Sequence, residues 1–172
     1  MIENNNTLRV LGWFFNSPTN ETYLRELSRE MKLSMPAIIS AVSKLQKENL
    51  VIVQRKKALT TVKANLDNKM FFNLKRINNL EKLYTSGLAD YLSSSFNKPQ
   101  AIICFGSYSR GEDIEKSDID IAIIEGTEKE IELEKFEKSL KRKISIHLIK
   151  LSKISEEFKS NLCNGITLEG AI

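Results

Sequence analysis

Residues 105–121 read FGSYSRGEDIEKSDIDI, and this stretch decides how the C-terminal half of the chain folds. Ala101–Phe105 predicts a strand that stops at Gly106, and a polar turn follows. On the next strand, Asp118 and Asp120 are two residues apart, so both would point to one face of a sheet. Two such carboxylates suit a hard divalent cation, and the N–H groups and hydroxyl of Gly106-Ser107 suit a phosphate. Metal and phosphate together indicate a nucleotide.

The same stretch resembles the signature of the polymerase-β-like nucleotidyltransferase superfamily, in particular of its minimal members. The signature is a Gly-Ser pair, a spacer with Arg-Gly, and Ser-Asp-x-Asp before an apolar residue. In this chain the matching residues are Gly106, Ser107, Arg110, Gly111, Ser117, Asp118, Asp120 and Ile121. The resemblance extends from about Lys98 to the C-terminus. It implies an α/β (α+β) unit with a mixed sheet and flanking helices.

The resemblance also implies roles for the matched residues. Asp118 and Asp120 would be catalytic and would hold Mg²⁺ (or Mn²⁺), with ATP as substrate. Gly106 and Ser107 would bind the β- and γ-phosphates, and Ser117 belongs to the same nucleotide-binding set.

Arg110 has two interpretations. It would either reach a phosphate of the nucleotide or form a surface ion pair with Glu112 or Asp113. The sequence leaves this choice open.

Members of this superfamily usually supply a third carboxylate from a later strand, and this chain departs from that pattern. The matching strand is Lys143–Ile149, whose outward residues are Ser145 and His147. His147 stands about where the third acid is expected. As a catalytic residue it would act as a base or bind a softer metal. Alternatively, it only fills the face of the sheet.

The composition sets the broad class of protein. A chain of 172 residues with 41% hydrophobic residues forms one ordinary domain or two small ones. No apolar run approaches the roughly 20 residues of a membrane span, and the polar N-terminus does not resemble a signal peptide. Cys104 and Cys163 have apolar neighbours and no metal-ligand spacing, so both are predicted to be core residues. The predicted location is the cytoplasm, without a membrane partner.

The charge is unevenly spread along the chain. Residues 1–76 hold 13 Lys and Arg against 6 Asp and Glu, which is 13 − 6 = +7, whereas residues 77–172 give 13 − 16 = −3. The first part therefore either faces nucleic acid or is an ordinary solvated surface.

Residues 1–68 are predicted to form the first domain, with three helices and a hairpin. Ser34 caps the third helix, Pro36 lies in its first turn, and Asn49 can end it in the left-handed conformation. Trp13 is predicted to lie in the core. The helical patterns cover Thr7–Phe15, Thr22–Met31 and 34–48, and the predicted strands are Val51–Arg55 and Thr60–Asn65.

This order of elements resembles a winged helix-turn-helix domain, which implies double-stranded DNA as partner. Residues on the third helix would face the major groove, and residues on the wing would lie near phosphates. The predicted DNA-binding residues are Ala37, Ser40 and Lys44 on the helix, beside Met35, and Arg55, Lys56 and Lys57 on the wing. The alternative is a module for protein interaction or dimerisation, and a homodimer is possible in either case.

Residues 69–97 are predicted to be a connecting helix, because an apolar stripe runs over 70–96 and only Gly87 weakens it. Residues 98–172 form the predicted minimal nucleotidyltransferase domain. There, the patterns indicate a charged helix over Glu128–Lys141, a last helix over Glu156–Leu162 and a closing segment over 164–168.

Two functions fit these features. The first is a nucleotidyltransferase that moves AMP from ATP to a hydroxyl of a small molecule or of a protein such as a cognate toxin, coupled to DNA binding as in an antitoxin. The second is a DNA-binding regulator whose degenerate nucleotidyltransferase domain only binds a nucleotide or a partner. His147 in place of an acid favours the second, and the intact Gly106-Ser107 and Asp118-x-Asp120 favour the first.

Overall fold

The computed structural model describes residues 5–56, 59–127 and 129–172, without the side chain of Lys56. It divides the chain into two compact units, one up to Lys75 and one over Arg76–Ile172. Each unit has its own hydrophobic core. None of the described helices has the length and hydropathy needed to span a membrane.

Up to residue 64, the described part of the first unit contains three helices and a three-stranded antiparallel sheet of order β1-β3-β2. Its elements are α1 (Asn6–Asn16), β1 (Glu21–Tyr23), α2 (Leu24–Met31), α3 (Met35–Lys47), β2 (Val51–Lys56) and β3 (Leu59–Ala64). Apolar side chains from the helices and from Val62 fill the core between them. Trp13 is half-buried against this core, and its indole N–H donates to Glu30 Oε2 at 2.6 Å.

Local signals set the limits of α3. The Ser34 hydroxyl accepts a hydrogen bond from the backbone N–H of Ala37 at 3.4 Å, and Pro36 lies in the first turn. After the helix, Asn49 takes a φ of 55°, as predicted.

The prediction that α2 begins at Thr22 was wrong. Thr22 lies in β1, where it pairs with Val62, and the helix begins at Leu24. The Glu26 carboxylate accepts hydrogen bonds from the Tyr23 N–H at 3.2 Å and the Thr22 hydroxyl at 3.1 Å. Pairing with β3 therefore places in a strand residues that the local pattern assigns to the helix.

The apolar stripe over 70–96 forms two helices rather than one. They are α4 (Lys69–Thr85) and α5 (Leu88–Ser95). Gly87 lies between them with a φ of 74°, a left-handed conformation that a continuous right-handed helix excludes.

The second unit is built around a four-stranded sheet of order β6-β5-β4-β7. β5 and β6 are parallel and the other pairs are antiparallel, so the sheet is mixed. Besides α5, its elements are β4 (Ala101–Phe105), α6 (Gly106–Arg110), β5 (Ile119–Ile124), α7 (Glu134–Leu140), β6 (Ile144–Ile149), a 3₁₀ turn (Leu151–Lys153), α8 (Glu156–Cys163) and β7 (Ile166–Gly170). Apolar clusters cover both faces of the central strands, since alternate residues of β4 belong to different clusters. The predicted α/β class, with a mixed sheet and flanking helices, is confirmed.

Two predictions within this unit were wrong. The helix expected over Glu128–Lys141 begins only at Glu134, and Glu128 itself lies outside the described residues. The preceding segment makes other contacts, such as the hydrogen bond from the Glu132 N–H to the Tyr91 hydroxyl at 3.0 Å. Cys104 is buried as expected, but Cys163 is exposed, because it lies at the end of α8 where the chain turns back.

Candidate active site

The site is built where β4 ends. All five residues of β4 are buried, and the chain enters α6 directly at Gly106. Gly106 has a φ of 73°, and a Cβ placed on it would lie 2.8 Å from Asp120 Oδ2. Both the backbone conformation and the neighbouring carboxylate therefore require glycine at this position.

The short helix α6 holds Ser107 beside Gly106. The Ser109 hydroxyl donates to the Gly106 carbonyl at 2.8 Å, and the Glu112 N–H donates to the Ser107 carbonyl at 2.9 Å. Gly111 ends the helix with a φ of 76°. Ser107 itself is half-buried at the start of this turn.

A turn then leads to Asp118. The Ser117 hydroxyl accepts the Ile114 N–H at 3.0 Å and so closes the turn, while its own proton stays available to a ligand. Asp118 is exposed, and its Oδ2 accepts a hydrogen bond from the Ser145 hydroxyl at 3.4 Å.

Strand pairing brings Asp120 to the centre of the site. Asp120 is paired with Phe105 on β4 and with Ser145 on β6. His147 Nε2 lies 3.2 Å from Asp120 Oδ1, and the two side chains are 41% and 32% exposed, respectively. The Phe105 ring packs edge-on against the imidazole, with centroids 5.2 Å apart. The structure thus places His147 against Asp120.

Arg110 lies at the edge of this region and is paired with Glu112. Its Nε is 2.7 Å from Glu112 Oε2, and both side chains are about half exposed. An exposed pair of this kind is weak and can open for a phosphate. Of the two acids considered as partners, the structure selects Glu112.

Asp113 has a role that the sequence did not reveal. Its side chain is 1% exposed; Oδ1 accepts from Asn79 Nδ2 at 2.8 Å, and Oδ2 is 3.5 Å from Arg142 Nη2. The Asn79 amide also donates to the Tyr108 carbonyl at 3.0 Å. This buried group fixes the turn between α6 and β5. Among the alternating acids of this stretch, no local signal distinguishes the one that is buried.

Burial raises the pKa of two titratable side chains near the site, Cys104 and Tyr108. It raises the pKa of the Cys104 thiol from 9.0 to about 12, with smaller contributions from the charges of Asp120 and Asp113. It also raises the pKa of Tyr108, and Asp113 adds to that effect. Both groups stay neutral at physiological pH, so Cys104 is a packing residue and not a nucleophile.

The residues at this site fit a nucleotide-bound Mg²⁺ better than a metal held by protein alone. Asp118 and Asp120 supply carboxylate oxygens, which a hard cation prefers. Among the described residues, no group of three or more His, Cys, Asp and Glu is arranged to hold a metal ion. Mg²⁺ is commonly held by one or two carboxylates together with substrate phosphates, so two acids are sufficient for that mode.

The predicted DNA-binding residues lie in the first unit. Ser40 and Lys44 are exposed on α3, Ala37 is half-buried, and Arg55 is exposed on β2. The backbone of Lys56 ends β2, and Lys57 lies outside the described residues.

The match to a protein-family model lies within the second unit. Residues 87–170, just under half of the chain, match the family model described as "Polymerase beta, Nucleotidyltransferase". Searches of curated proteins and of solved structures found no match. The matched segment contains the Gly106 turn, both aspartates and His147. The match supports, for this part of the chain, the nucleotidyltransferase superfamily and a nucleotidyltransferase-type activity in general.

Proposed function

We propose that the second unit transfers AMP from ATP, with Mg²⁺ (or Mn²⁺), to a hydroxyl of a protein or small molecule. We propose further that the first unit is a winged helix-turn-helix domain that binds double-stranded DNA. The chain would then act as an antitoxin-like protein that modifies a partner and recognises DNA.

One observation carries the enzymatic part of the proposal, namely the close approach of Gly106 to Asp120. Because a Cβ at Gly106 would lie 2.8 Å from Asp120 Oδ2, a phosphate on the Gly106-Ser107 backbone and a cation on Asp120 would be immediate neighbours. A nucleoside triphosphate with its divalent cation has these two charges side by side. Glycine at this point thus lets the Asp120 carboxylate lie beside the backbone that would bind the phosphate.

The reaction would proceed by displacement at the α-phosphorus of ATP. The acceptor oxygen forms a new bond to that phosphorus, the bond to the oxygen bridging the β-phosphate breaks, and pyrophosphate leaves. The proton of the acceptor hydroxyl passes to His147 Nδ1, since Nε2 faces Asp120. A bound divalent cation would neutralise charge on the phosphates. Asp118 and Asp120 would orient it.

Changing both aspartates to asparagine tests the site. Asp118→Asn with Asp120→Asn keeps the shapes but removes two charges, so Mg²⁺-dependent ATP affinity should fall at least about tenfold, which is about 1.4 kcal/mol. Isothermal calorimetry at fixed Mg²⁺ measures this change. The matched control is Glu156→Gln with Glu157→Gln, which alters two exposed carboxylates of α8. Equal Mg-ATP affinity in the native and double-asparagine proteins would refute the site.

The second candidate is a DNA-binding regulator whose second unit binds nucleotide without transferring it. His147, which contacts Asp120, favours this second candidate. On the proposed alignment His147 takes the position of the superfamily's usual third acid, and a histidine cannot carry a negative charge. Labelled ATP separates the two functions. A regulator would bind Mg-ATP and transfer no label to any protein or small molecule of a cell extract.

The topology of the first unit supports the DNA-binding part. Helix, strand, two helices and a hairpin follow one another, and the sheet order is β1-β3-β2. This arrangement supports the proposal of a winged helix, in which α3 would be the recognition helix. Ser40 and Lys44 are exposed on α3, as base contacts require.

A further inference from the structure

A groove of about 510 Å³ opens beside Asp118 on the second unit. Its walls are the turn over 115–118, one face of α7 and the connection from α7 to β6 at 141–143. The volume lies within the range of small-ligand and peptide sites. We call this feature the Asp118 groove.

Among the described residues that line the groove, five side chains are basic and four are acidic. Lys138 is paired with Glu134 at 2.8 Å, and Glu137 Oε1 accepts the Ile144 N–H at 2.9 Å. Three further lysines line the groove, are exposed, and form no ion pair with the rest of the described chain: Lys116, Lys141 and Lys143. These three lysines would therefore attract carboxylates of a ligand.

The groove shares Ser117 and Asp118 with the proposed nucleotide site but does not include the residues proposed to bind the β- and γ-phosphates. Of the described residues, Ser117 and Asp118 line it, whereas Gly106 and Ser107 do not. The second substrate of a transfer reaction needs such a separate approach to the metal-binding carboxylates.

The geometry points to the Asp118 groove as the acceptor site, and to a peptide segment with carboxylates beside its reactive hydroxyl as the acceptor. This inference rests on the proposed function, since the hydroxyl receives the nucleotidyl group described above. A peptide suits the groove better than a nucleic acid, because Glu115 and Glu137 also line the walls. A phosphate at every unit of a strand would be repelled there, whereas a peptide can place its acids opposite the lysines alone.

The test compares two short peptides, Glu-Glu-Ser-Glu-Glu and Gln-Gln-Ser-Gln-Gln, by NMR titration of the full-length ¹⁵N-labelled protein at low ionic strength. The native protein should bind the acidic peptide about tenfold more tightly, with shifts at the amides of 115–118 and 141–143. The variant Lys116→Gln/Lys141→Gln/Lys143→Gln should lose this preference. Absence of the preference in the native protein would overturn the inference.

A matched control removes the same charge elsewhere. Lys150→Gln/Lys153→Gln/Lys159→Gln changes three exposed lysines of the second unit that do not line the groove, so the peptide preference should persist. If this control loses the preference equally, binding reflects net charge and the groove is not the site.

Two further titrations identify the ligand class. Mg-ATP affinity should be unchanged in the groove variant; a tenfold loss would assign the groove to the nucleotide and overturn the acceptor role. A short oligothymidylate that shifts the same amides more strongly than the acidic peptide would overturn the choice of a peptide. If the native protein binds the acidic peptide in the groove but no Mg-ATP, the peptide site stands and the proposed transferase function fails instead.

Discussion

Gly106 occupies a position at which backbone and site impose the same requirement. Its φ of 73° disfavours any side chain, and the Asp120 carboxylate occupies the space of a Cβ. The glycine is thus needed both for the turn and for the carboxylate to stay where a cation would bind.

Gly106→Ala should therefore weaken Mg-ATP binding more than the free-energy cost of the left-handed backbone explains. The left-handed conformation costs about 1–2 kcal/mol for a non-glycine residue, and displacement of Asp120 should in addition remove most Mg-ATP affinity. Gly87→Ala is the matched control, since it has the same φ but open space around its Cβ. Thermal melting should show similar losses of stability in both variants, and calorimetry should show lost Mg-ATP binding only in Gly106→Ala. Equal Mg-ATP affinity in the two would contradict this account.

His147 is the residue whose role most affects the catalytic interpretation. Its Nε2 faces Asp120 Oδ1 at 3.2 Å, so a carboxylate at this position would join the existing pair. His147→Asp should raise metal affinity about tenfold and increase AMP transfer. Mn²⁺ titration, a labelled-ATP assay and a melting curve measure these effects.

The control for His147→Asp is Ser145→Asp. Ser145 also faces the pair, through its hydrogen bond to Asp118. If Ser145→Asp raises metal affinity and transfer while His147→Asp only destabilises the fold, then the third-acid position is two residues earlier on the strand. Robust transfer that is unaffected by His147→Ala would also show that His147 is not the base.

At the scale of elements, the sheet brings together residues that are distant in the chain. Gly106 directly follows β4, and Asp120 lies on β5. The parallel pairing of β5 with β6 places Ser145 and His147 on the same face as Asp120. The register matters because a shift by one residue would turn both β6 side chains to the opposite face. The site is thus a property of strand pairing more than of any one segment.

Buried Cys104 on β4 predicts a loss of stability at alkaline pH. Burial raises its pKa from 9.0 to about 12, so the thiol keeps its proton in the folded state after the unfolded chain has lost it. Stability is intact below pH 9 and falls above it, by about 1.4 kcal/mol per pH unit for this group. Denaturant unfolding at pH 8, 9 and 10 measures the slope.

The comparison that isolates this effect uses both cysteines. Cys104→Ala should be less stable at neutral pH, because it leaves a cavity, but should lose its part of the alkaline slope. Cys163→Ala changes an exposed thiol and should keep the native slope. The interval from pH 9 to 10 is the informative one, since Tyr108 also has a raised pKa and contributes at higher pH. The same slope in Cys104→Ala and the native protein would contradict the assignment.

At the scale of the whole molecule, charge separates the two parts of the chain. Residues 1–76 carry +7 and residues 77–172 carry −3. A positive excess in the part with the exposed helix α3 is what electrostatic attraction to DNA requires. The promoter upstream of the protein's own gene is the first DNA to test, since an antitoxin-like regulator would control itself.

Salt dependence tests DNA binding by the first unit. Each cation that neutralises a phosphate contributes a slope of about −0.9 in log affinity against log salt, so replacing Arg55, Lys56 and Lys57 by alanine should flatten the slope by roughly two to three. Ser40→Ala or Lys44→Ala should instead reduce preference for one site by about 1–3 kcal/mol. Mobility shifts that show no binding to the promoter or to bulk duplex at low salt would indicate a protein-docking role for this unit.

The sequence alone determined the local features of this protein. The Ser34 cap, the end of β4 before Gly106 and the left-handed conformation of Asn49 could all be predicted, because each follows from turn chemistry or capping within a few residues. These signals depend only on side chains that are a few residues apart in the sequence.

Only the tertiary structure decided which residues pair with, or are buried by, residues that are distant in the chain. Thr22 joins a strand because β3 pairs with it, Asp113 is buried because Asn79 and Arg142 surround it, and Cys163 is exposed where α8 ends. The Asp118 groove also exists only after α7 and the turn before β5 come together. Burial and pairing depend on contacts between residues far apart in sequence, which local propensity does not encode.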